Sequence, residues 1–326
     1  MENQQAKKIR WGIIGPGRIA VKFAQDLAKV SNCELYGVAS RNPEDAIGFA
    51  RKYNAKVAFN TLEELAKSNE IDAVYIATPH SFHKEHSVLC LQNKKAVLCE
   101  KPFAMNTIEV QEMIDAAKEN NMLLMEGMWT RFLPHFKYAF DLINTKKYGN
   151  IHKLDVDFGF YTPYDLENRV FTKNVGGGSL LDIGVYNIFT ALISIGIPNA
   201  IEANADFFDN GADATCNMVF KYDTVDAFLT CTLTADTVTE AVFTCEKGIV
   251  KINGRFNEPS SVTEIIDGEV ETTQFPIDNF GFYFEIEHFN ELFRKGKKES
   301  DVLPLNLSLD LIETLDKVRN LIGLEY

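Results

Sequence analysis

Strand and helix signals alternate along the first 125 residues, and this alternation restricts the possible fold more than any other feature of the chain. Short apolar runs such as IRWGIIG (residues 9–15) and DAVYIAT (residues 72–78) have the length of buried strands. Stretches such as IAVKFAQDLAKV (residues 19–30) follow them, with apolar residues at helical spacing. Because successive parallel strands need a crossover connection, we predict a doubly wound α/β domain with a parallel sheet over residues 1–125.

The pattern changes in the remainder of the chain. Segments such as KLDVDFGFY (residues 153–161) alternate polar and apolar residues with a period of two and are joined by short turns. Helical patterns occupy roughly residues 178–195, 283–295 and 308–322. We therefore predict that residues 126–326 form an α+β domain built on a large, mostly antiparallel, open sheet.

Composition and charge argue against several classes of protein. Hydrophobic residues make up 46% and charged residues 24% of the 326 residues, as in an ordinary globular chain. The net charge of −13 argues against a nucleic-acid partner, which needs clustered basic residues. The polar start MENQQAKKIR and the short apolar runs predict neither a signal peptide nor a membrane span. The six cysteines form no CxxC motif, so we expect no metal site and a reducing, cytoplasmic location.

The hexapeptide GPGRIA, which starts at Gly15, has the form GxGxxA and lies between a predicted strand and a predicted helix. In such a motif Gly15 permits the tight turn, and Gly17 lets backbone amides approach a pyrophosphate. The helix that begins near Arg18 and Ile19 would present its positive end to the phosphates. Glycine-bearing turns are commonly no more than turns, but this strand–turn–helix context predicts a dinucleotide site.

The residues after the second predicted strand indicate which dinucleotide binds. An NAD-binding domain usually carries an acidic residue there for the ribose hydroxyls, whereas this chain reads ASRN, with no carboxylate before Glu44. Ser40 can hydrogen-bond a phosphate, and Arg41 can pair with it or stack on adenine. A solvated surface arginine is the competing interpretation. We predict NADP as the cofactor, with NAD as a possible substitute.

The stretch VGGGSLLDIGVYNI (residues 175–188) places Asp182 and Tyr186 four residues apart, so that they share one face of the predicted helix. Two interpretations are open. The carboxylate can simply satisfy a buried tyrosine hydroxyl, or the two residues can be an acid–base group and the residue that orients it. We also expect the preceding glycines to let the start of this helix approach cofactor and substrate.

Six segments together resemble the glucose–fructose oxidoreductase, inositol dehydrogenase and rhizopine catabolism (Gfo/Idh/MocA) family: GPGRIA, ASRN, TPHSFHKEH, CEKPFA, LLMEGMWTRFLP and GGGSLLDIGVY. The chain is most similar to the dimeric dihydrodiol dehydrogenase branch, which includes NADP-dependent D-xylose dehydrogenases. That branch also ends with a segment like FRKGKKESDVLPL and a terminal helix. The resemblance spans essentially the whole chain and implies a Rossmann domain followed by a substrate domain.

The resemblance implies three catalytic residues. Lys101, in the Glu100-Lys101-Pro102 segment that closes a strand, would hydrogen-bond the reacting oxygen and stabilise its developing negative charge. Tyr186 takes the position of a histidine in many relatives and would act as general acid or base. Asp182 would position the substrate hydroxyl or the surroundings of the tyrosine. A solvent-exposed lysine at a strand end is the plainer alternative.

The resemblance also implies further contacts with the cofactor or the substrate. The histidines of TPHSFHKEH (residues 78–86) could instead be structural, and the aromatic residues could belong to the core of the sheet or of the domain. Further cofactor contacts are expected from Glu100 and from residues of two loops: Thr78, Pro79, His80, His83, Trp129 and Arg131. Substrate contacts are expected from Trp129, Phe158, Asp182 and Tyr186.

The predicted function is hydride transfer between a nicotinamide and a carbinol carbon of a sugar, polyol or cyclic vicinal diol. The resemblance also implies a homodimer formed through the open sheet, which needs one face covered. A non-catalytic NADP-binding sensor of the same fold is the competing function. Cofactor-assisted glycoside cleavage is less favoured, because relatives with that activity use a different, histidine-bearing site.

Overall fold

The computed structural model describes residues 8–326, and the chain divides into two compact units. The first unit extends to Trp129 and also contains Asp278–Ser308. The second unit comprises Thr130–Ile277 and Leu309–Tyr326. The chain therefore leaves the first unit, builds most of the second and then returns.

The first unit contains a six-stranded parallel sheet in the order β3-β2-β1-β4-β5-β6. Its strands are β1 (Ile9–Ile14), β2 (Cys33–Ala39), β3 (Val57–Phe59), β4 (Ala73–Ile76), β5 (Ala96–Glu100) and β6 (Leu124–Gly127). The order reverses between β1 and β4, and such a reversal leaves a crevice at the carboxyl ends of the strands. The predicted doubly wound fold is confirmed.

Helices join these strands, and their starts follow from local sequence. They are α1 (Arg18–Leu27), α2 (Pro43–Lys52), α3 (Leu62–Lys67), α4 (His83–Gln92) and α5 (Thr107–Asn120). The side chain of Asn42 accepts a hydrogen bond from the Glu44 amide, and Pro43 occupies the first turn. This cap ends the extended chain after β2 and starts α2 immediately beyond the Ser40-Arg41 segment.

The second unit contains an eight-stranded sheet in the order β14-β13-β12-β11-β7-β10-β9-β8. The strands are β7 (Ile151–Gly159), β8 (Ala200–Phe207), β9 (Asp213–Lys221), β10 (Asp226–Thr232), β11 (Ala241–Cys245), β12 (Gly248–Ile252), β13 (Ser261–Ile266) and β14 (Glu269–Gln274). Strands β7 and β10 pair in parallel, and the other neighbours are antiparallel. The predicted large, mostly antiparallel sheet is confirmed.

Four further α-helices are α6 (Pro134–Asn144), α7 (Val185–Ser194), α8 (Phe282–Arg294) and α9 (Leu305–Ile322). Helix α7 packs on β7 and β10, and α6 packs on β12 and β13. One face of the sheet is thus covered by helices. In β10, Ala227 and Leu229 are buried, whereas Phe228 between them is 39% exposed and points to the opposite face.

Helix α8 belongs to the core of the first unit, although it follows β14 in sequence. The Trp11 ring lies 4.8 Å from the Phe289 ring, and Trp11 Nε1 donates to Asn290 Oδ1 at 3.1 Å. The buried Asp26 carboxylate accepts hydrogen bonds from the amides of Phe280 (3.0 Å) and Tyr283 (3.2 Å). Asp26 on α1 therefore supplies the acceptors that the start of α8 lacks locally.

One helical stretch, Lys173–Ser194, is by length and composition apolar enough to cross a membrane. The prediction that every apolar run is too short is therefore wrong for this stretch. However, 89% of its apolar window is buried within the protein, as in the core helices of many soluble domains.

Candidate active site

The predicted glycine motif forms the turn between β1 and α1. Gly15 has φ +87°, and a Cβ there would lie 2.8 Å from Thr78 Cγ2 and 2.9 Å from the Ala77 backbone. Gly15 thus meets a backbone and a packing requirement that no other residue satisfies. At Gly17 an added Cβ would meet nothing within 4 Å, and no side chain caps the start of α1. The amides at this helix start therefore border open space.

A groove of about 210 Å³ lies at the carboxyl ends of β1, β2 and β4, at the point where the strand order reverses. The structure brings together in it several residues predicted to bind the cofactor, and adds Asp45, Leu62 and His86, which the sequence did not indicate. The groove is lined by Ile14, Gly15, Pro16, Gly17, Ser40, Arg41, Asp45, Leu62, Ala77, Thr78, Pro79 and His86. This is the position at which doubly wound domains bind dinucleotides.

Arg41 is exposed at the edge of this groove, with its guanidinium carbon 4.9 Å from the centre of the Phe82 ring. The Phe82 ring in turn stacks on His86, with 5.7 Å between centroids. His86 Nδ1 lies 3.1 Å from Thr78 Oγ1, and burial, followed by the charge of Arg41, lowers the pKa of the imidazole. His86 is therefore neutral at pH 7, which leaves Arg41 as the positive charge in the groove lining.

Other predicted cofactor residues lie outside this groove lining. Arg18 is exposed and Ile19 is half-buried on the first turn of α1, whereas His80 and His83 are buried between β4 and α4. Trp129 is buried, and its ring stacks on Phe282 within the first unit at 4.7 Å. Arg131 lies in the second unit, where burial lowers the pKa of its guanidinium.

Lys101 follows the last residue of β5, and neighbouring carboxylates fix the backbone on both sides of it. Glu100 accepts a hydrogen bond from the Tyr75 hydroxyl through one oxygen and from the Lys101 amide through the other, at 3.2 Å. Glu126 at the end of β6 accepts from the Phe103 amide at 3.1 Å. The Glu100-Lys101-Pro102 segment is therefore a fixed turn at the carboxyl edge of the sheet.

Tyr186 lies in the second unit, on the first turn of α7, and its side chain is largely buried. The residue is 6% exposed, and its ring lies 5.8 Å from the ring of Phe158 on β7. Phe158 also packs against Phe256 at 6.3 Å, so at least part of its surface is sheet core. These contacts hold the Tyr186 ring from the side of the sheet.

The helix start before Tyr186 differs from the regular α-helix that the sequence predicted. Residues Leu180–Gly184 form a π-helical turn that runs into α7. Asp182 lies in this turn and accepts a hydrogen bond from Arg169 Nη2 at 2.8 Å. The sequence did not indicate Arg169, because this arginine lies 13 residues upstream in a loop with no periodic pattern.

Two of the glycines before this helix, Gly177 and Gly178, pack closely against the protein itself. Gly178 has φ +127°, and a Cβ there would lie 2.0 Å from Oδ1 of the buried Asp213. Asp213 Oδ2 accepts hydrogen bonds from Ser179 Oγ at 2.7 Å and the Leu180 amide at 2.6 Å. Asp213 thus anchors the helix that carries Asp182 and Tyr186, and Gly178 provides the space for its carboxylate.

This packing predicts that Gly178→Ala destabilises the second unit. Gly196→Ala is a matched control, because Gly196 also has positive φ (+103°) but an added Cβ there meets nothing within 4 Å. The clash with Asp213 should cost about 1–3 kcal/mol beyond the backbone strain that both variants share. Urea unfolding followed by circular dichroism measures the difference, because both tryptophans of the chain lie in the first unit. Equal losses in the two variants would contradict the assigned contact.

Comparisons with known proteins bear on the whole chain. Residues 9–128 match a family described as an oxidoreductase family with an NAD-binding Rossmann fold, and residues 136–251 match the GFO/IDH/MocA C-terminal domain. The chain is 35% identical over 324 residues to scyllo-inositol 2-dehydrogenase (NADP(+)) IolU of Bacillus subtilis, with 98% of each chain covered. It is 33% identical over 336 residues to human trans-1,2-dihydrobenzene-1,2-diol dehydrogenase, again with 98% of each covered.

Solved structures show the same architecture. A 3-ketoreductase from Actinomadura kijaniata, in complex with NADP and TDP-benzene, superimposes with a TM-score of 0.87 at 25% identity, over 96% of this chain and 98% of that one. The aldose-aldose oxidoreductase of Caulobacter crescentus superimposes with a TM-score of 0.89 at 21% identity, over 97% and 98%. The resemblance predicted from the six sequence motifs is confirmed, and the chain belongs to the Gfo/Idh/MocA family of oxidoreductases.

Proposed function

We propose that the protein is an NADP-preferring dehydrogenase that acts on a CH–OH group of a sugar, polyol or cyclic vicinal diol. The observation that carries this proposal is the groove at the ends of β1, β2 and β4, in which Ser40 and Arg41 occupy the positions that a ribose-binding acid takes in NAD enzymes. The relatives named as an NADP(+)-dependent inositol dehydrogenase and a dihydrodiol dehydrogenase support both the cofactor and the substrate class.

The residues present fit a dinucleotide phosphate. The uncapped start of α1 and the open space at Gly17 leave backbone amides available to a pyrophosphate. Arg41 is exposed and already stacked on Phe82, so its guanidinium can pair with a 2′-phosphate at little cost in side-chain entropy. When bound, the nicotinamide supplies or accepts the hydride.

In this proposal, residues of the chain stabilise charge on the reacting oxygen and transfer its proton. Tyr186 gives the proton to the oxygen in reduction and removes it in oxidation. Lys101 places a positive charge beside the oxygen as negative charge develops. Asp182, paired with Arg169, orients the substrate hydroxyl, since a carboxylate with a fixed partner keeps one rotamer. Trp129 and Phe158 would then contribute apolar surface to the substrate site.

The direct test is turnover of the pure protein with NADP and a panel of sugars, inositols and cyclic diols. We expect absorbance of reduced nicotinamide with at least one alcohol, and a loss of about 10²–10⁴-fold in kcat for Tyr186→Phe, which keeps the ring but loses the proton. Lys101→Met should also reduce kcat strongly. NADP affinity, measured by fluorescence, should stay nearly unchanged in Tyr186→Phe.

Two matched controls make this test specific. Tyr222→Phe removes a hydroxyl that donates to the Gly196 carbonyl in the same unit, and Lys95→Met removes a buried lysine at the other end of β5. Neither control should lower turnover by more than a few-fold. Wild-type turnover in Tyr186→Phe would make the phenol structural, and NADP binding without turnover of any alcohol or carbonyl compound would favour a sensor.

Arg41 should determine the preference for NADP. Arg41→Ala should weaken the binding free energy of NADP by about 1.5–3 kcal/mol, because a charge-assisted hydrogen bond is lost. The effect on NAD binding should be much smaller. Arg51→Ala, an exposed arginine on the last turn of α2, is the control and should change neither affinity. Isothermal titration with both cofactors measures the two affinities, and an equal loss for NADP and NAD would show that Arg41 contacts only the adenine.

We also propose that the protein is cytoplasmic.

We propose further that two copies associate through the sheet face opposite α6 and α7. Phe228 is 39% exposed on that face, next to Lys153 of β7, whose ammonium lies 4.9 Å from the ring centre. An aromatic ring exposed on a sheet face is typical of an interface centre.

The expected species at micromolar concentration is therefore a dimer by light scattering. Phe228→Asp should shift it toward monomer, because the substitution replaces the exposed ring with a charge that the proposed interface would have to desolvate. Ile108→Asp, on a 72%-exposed position of α5, should leave the mass unchanged. A wild-type protein that is strictly monomeric would contradict this proposal.

A further inference from the structure

His83 is buried at the start of α4 and connects two loops of the candidate site. Its exposed fraction is 0%, and its two ring nitrogens face backbone carbonyl oxygens on opposite sides. Nδ1 lies 2.9 Å from the Pro102 oxygen, and Nε2 lies 2.8 Å from the Thr78 oxygen. Thr78 lines the groove, and Pro102 directly follows Lys101. The imidazole thus joins the groove loop to the lysine loop.

These two contacts determine the protonation state of the ring. A carbonyl oxygen accepts hydrogen bonds and never donates them, so each ring nitrogen at these distances must carry a hydrogen. A neutral imidazole has one N–H, which would leave a nitrogen lone pair directed at an oxygen lone pair in a buried site. Rotating the ring by 180° does not help, because C–H···O contacts need about 3.3–3.6 Å. Both contacts are satisfied only by the imidazolium.

Two buried carboxyl groups hold the backbone on either side of Pro102, the residue whose carbonyl oxygen faces His83. The buried carboxylates of Glu100 and Glu126 accept from the amides of Lys101 and Phe103, the residues on either side of Pro102. The other titratable groups at this end of the sheet include Lys101 itself, Tyr75, which donates to Glu100, and the buried Cys99 and Glu285, whose pKa values are raised by burial. The ring centre of His80 lies 5.6 Å from that of His83, and His86 lies one turn along α4. Burial raises the pKa of Glu126 to about 7, so its charge is itself sensitive to pH.

We propose that His83 is a positioning residue that, as an imidazolium, ties the groove loop at Thr78 to the Lys101 turn. Its effect on turnover rests on the proposed dehydrogenase function, whereas its protonation state does not. Both hydrogen bonds are present below the pKa of the folded-state ring. As the pH rises through that value, one carbonyl loses its donor and the Lys101 turn is held less firmly.

The protonation state is tested directly in the wild-type protein by NMR of ¹⁵N-labelled histidine. We expect both His83 nitrogens to show protonated, imidazolium-type shifts at pH 7. A signal from a non-protonated ring nitrogen at that pH would overturn the proposal. The chain has six histidines, so the signal is assigned by its loss in His83→Gln. Should that variant not fold, single substitutions of the other five histidines, beginning with the exposed His152, assign it by elimination.

The positioning role is tested by kinetics of His83→Gln, whose amide can donate to one of the two carbonyls, with His152→Gln as control. We expect kcat to fall by up to about 10²-fold, the size of effect that a small misplacement of a catalytic group produces, with a much smaller loss of NADP affinity. The fall in wild-type turnover at high pH that His83 causes should be absent from the variant. An unchanged kcat, or equal losses of kcat and NADP affinity, would overturn the positioning role.

The two measurements also separate this inference from the proposed function. Should no alcohol or carbonyl compound be turned over, the dehydrogenase proposal fails, and the NMR experiment still decides whether His83 is an imidazolium that bridges the two loops.

Discussion

The parallel pairing of β1 with β4 is the constraint on which the first unit depends. It places the strand ends on either side of the point where the order reverses, and the loops that follow those strands lie side by side. Gly15 fits there because a Cβ would collide with Ala77 and Thr78 at the end of β4. The same pairing brings Thr78 to the groove, from which His83 reaches the turn that follows Lys101.

In the second unit, buried contacts hold the start of a helix rigidly over the sheet. The π-helical turn before α7 leaves amides that need acceptors, and the buried Asp213 carboxylate provides one for Leu180. Gly178 makes the approach possible, since any side chain there would displace that carboxylate. Tyr186 follows on this helix, whose start is held by Asp213, and the Tyr186 ring packs against Phe158. Such support suits the proton-transferring role proposed for Tyr186.

Local patterns were sufficient to predict much of this architecture. The alternation of strand and helix signals predicted the parallel sheet, because this pattern depends on residues close in sequence. Strand β14 was not predicted, because it is almost entirely exposed and lacks a buried face to produce alternation. The packing of α8 on Trp11 could not be predicted either, because it joins residues far apart in the chain.

In the candidate site too, features that depend on neighbouring residues could be predicted and features that depend on tertiary packing could not. The glycine turn and the Ser40-Arg41 segment were predictable, because a dinucleotide motif is contiguous in sequence. Arg169, Asp213 and His86 were not, because each acts on its partner through tertiary packing: Arg169 on Asp182, Asp213 on the helix start and His86 on Thr78. The residues proposed to perform chemistry lie in motifs, whereas Arg169 and Asp213, which hold Asp182 and the helix start, lie outside them.

In the proposed reaction a hydride passes from a carbinol carbon to a nicotinamide, and the protein transfers the proton. Mass spectrometry of the cofactor after turnover of a C-deuterated inositol or cyclic diol with NADP tests this claim most directly. We expect the deuterium to appear on the reduced nicotinamide, with one molecule of labelled cofactor for each molecule of ketone formed. Reduced cofactor without deuterium, or ketone formed without reduced cofactor, would contradict it.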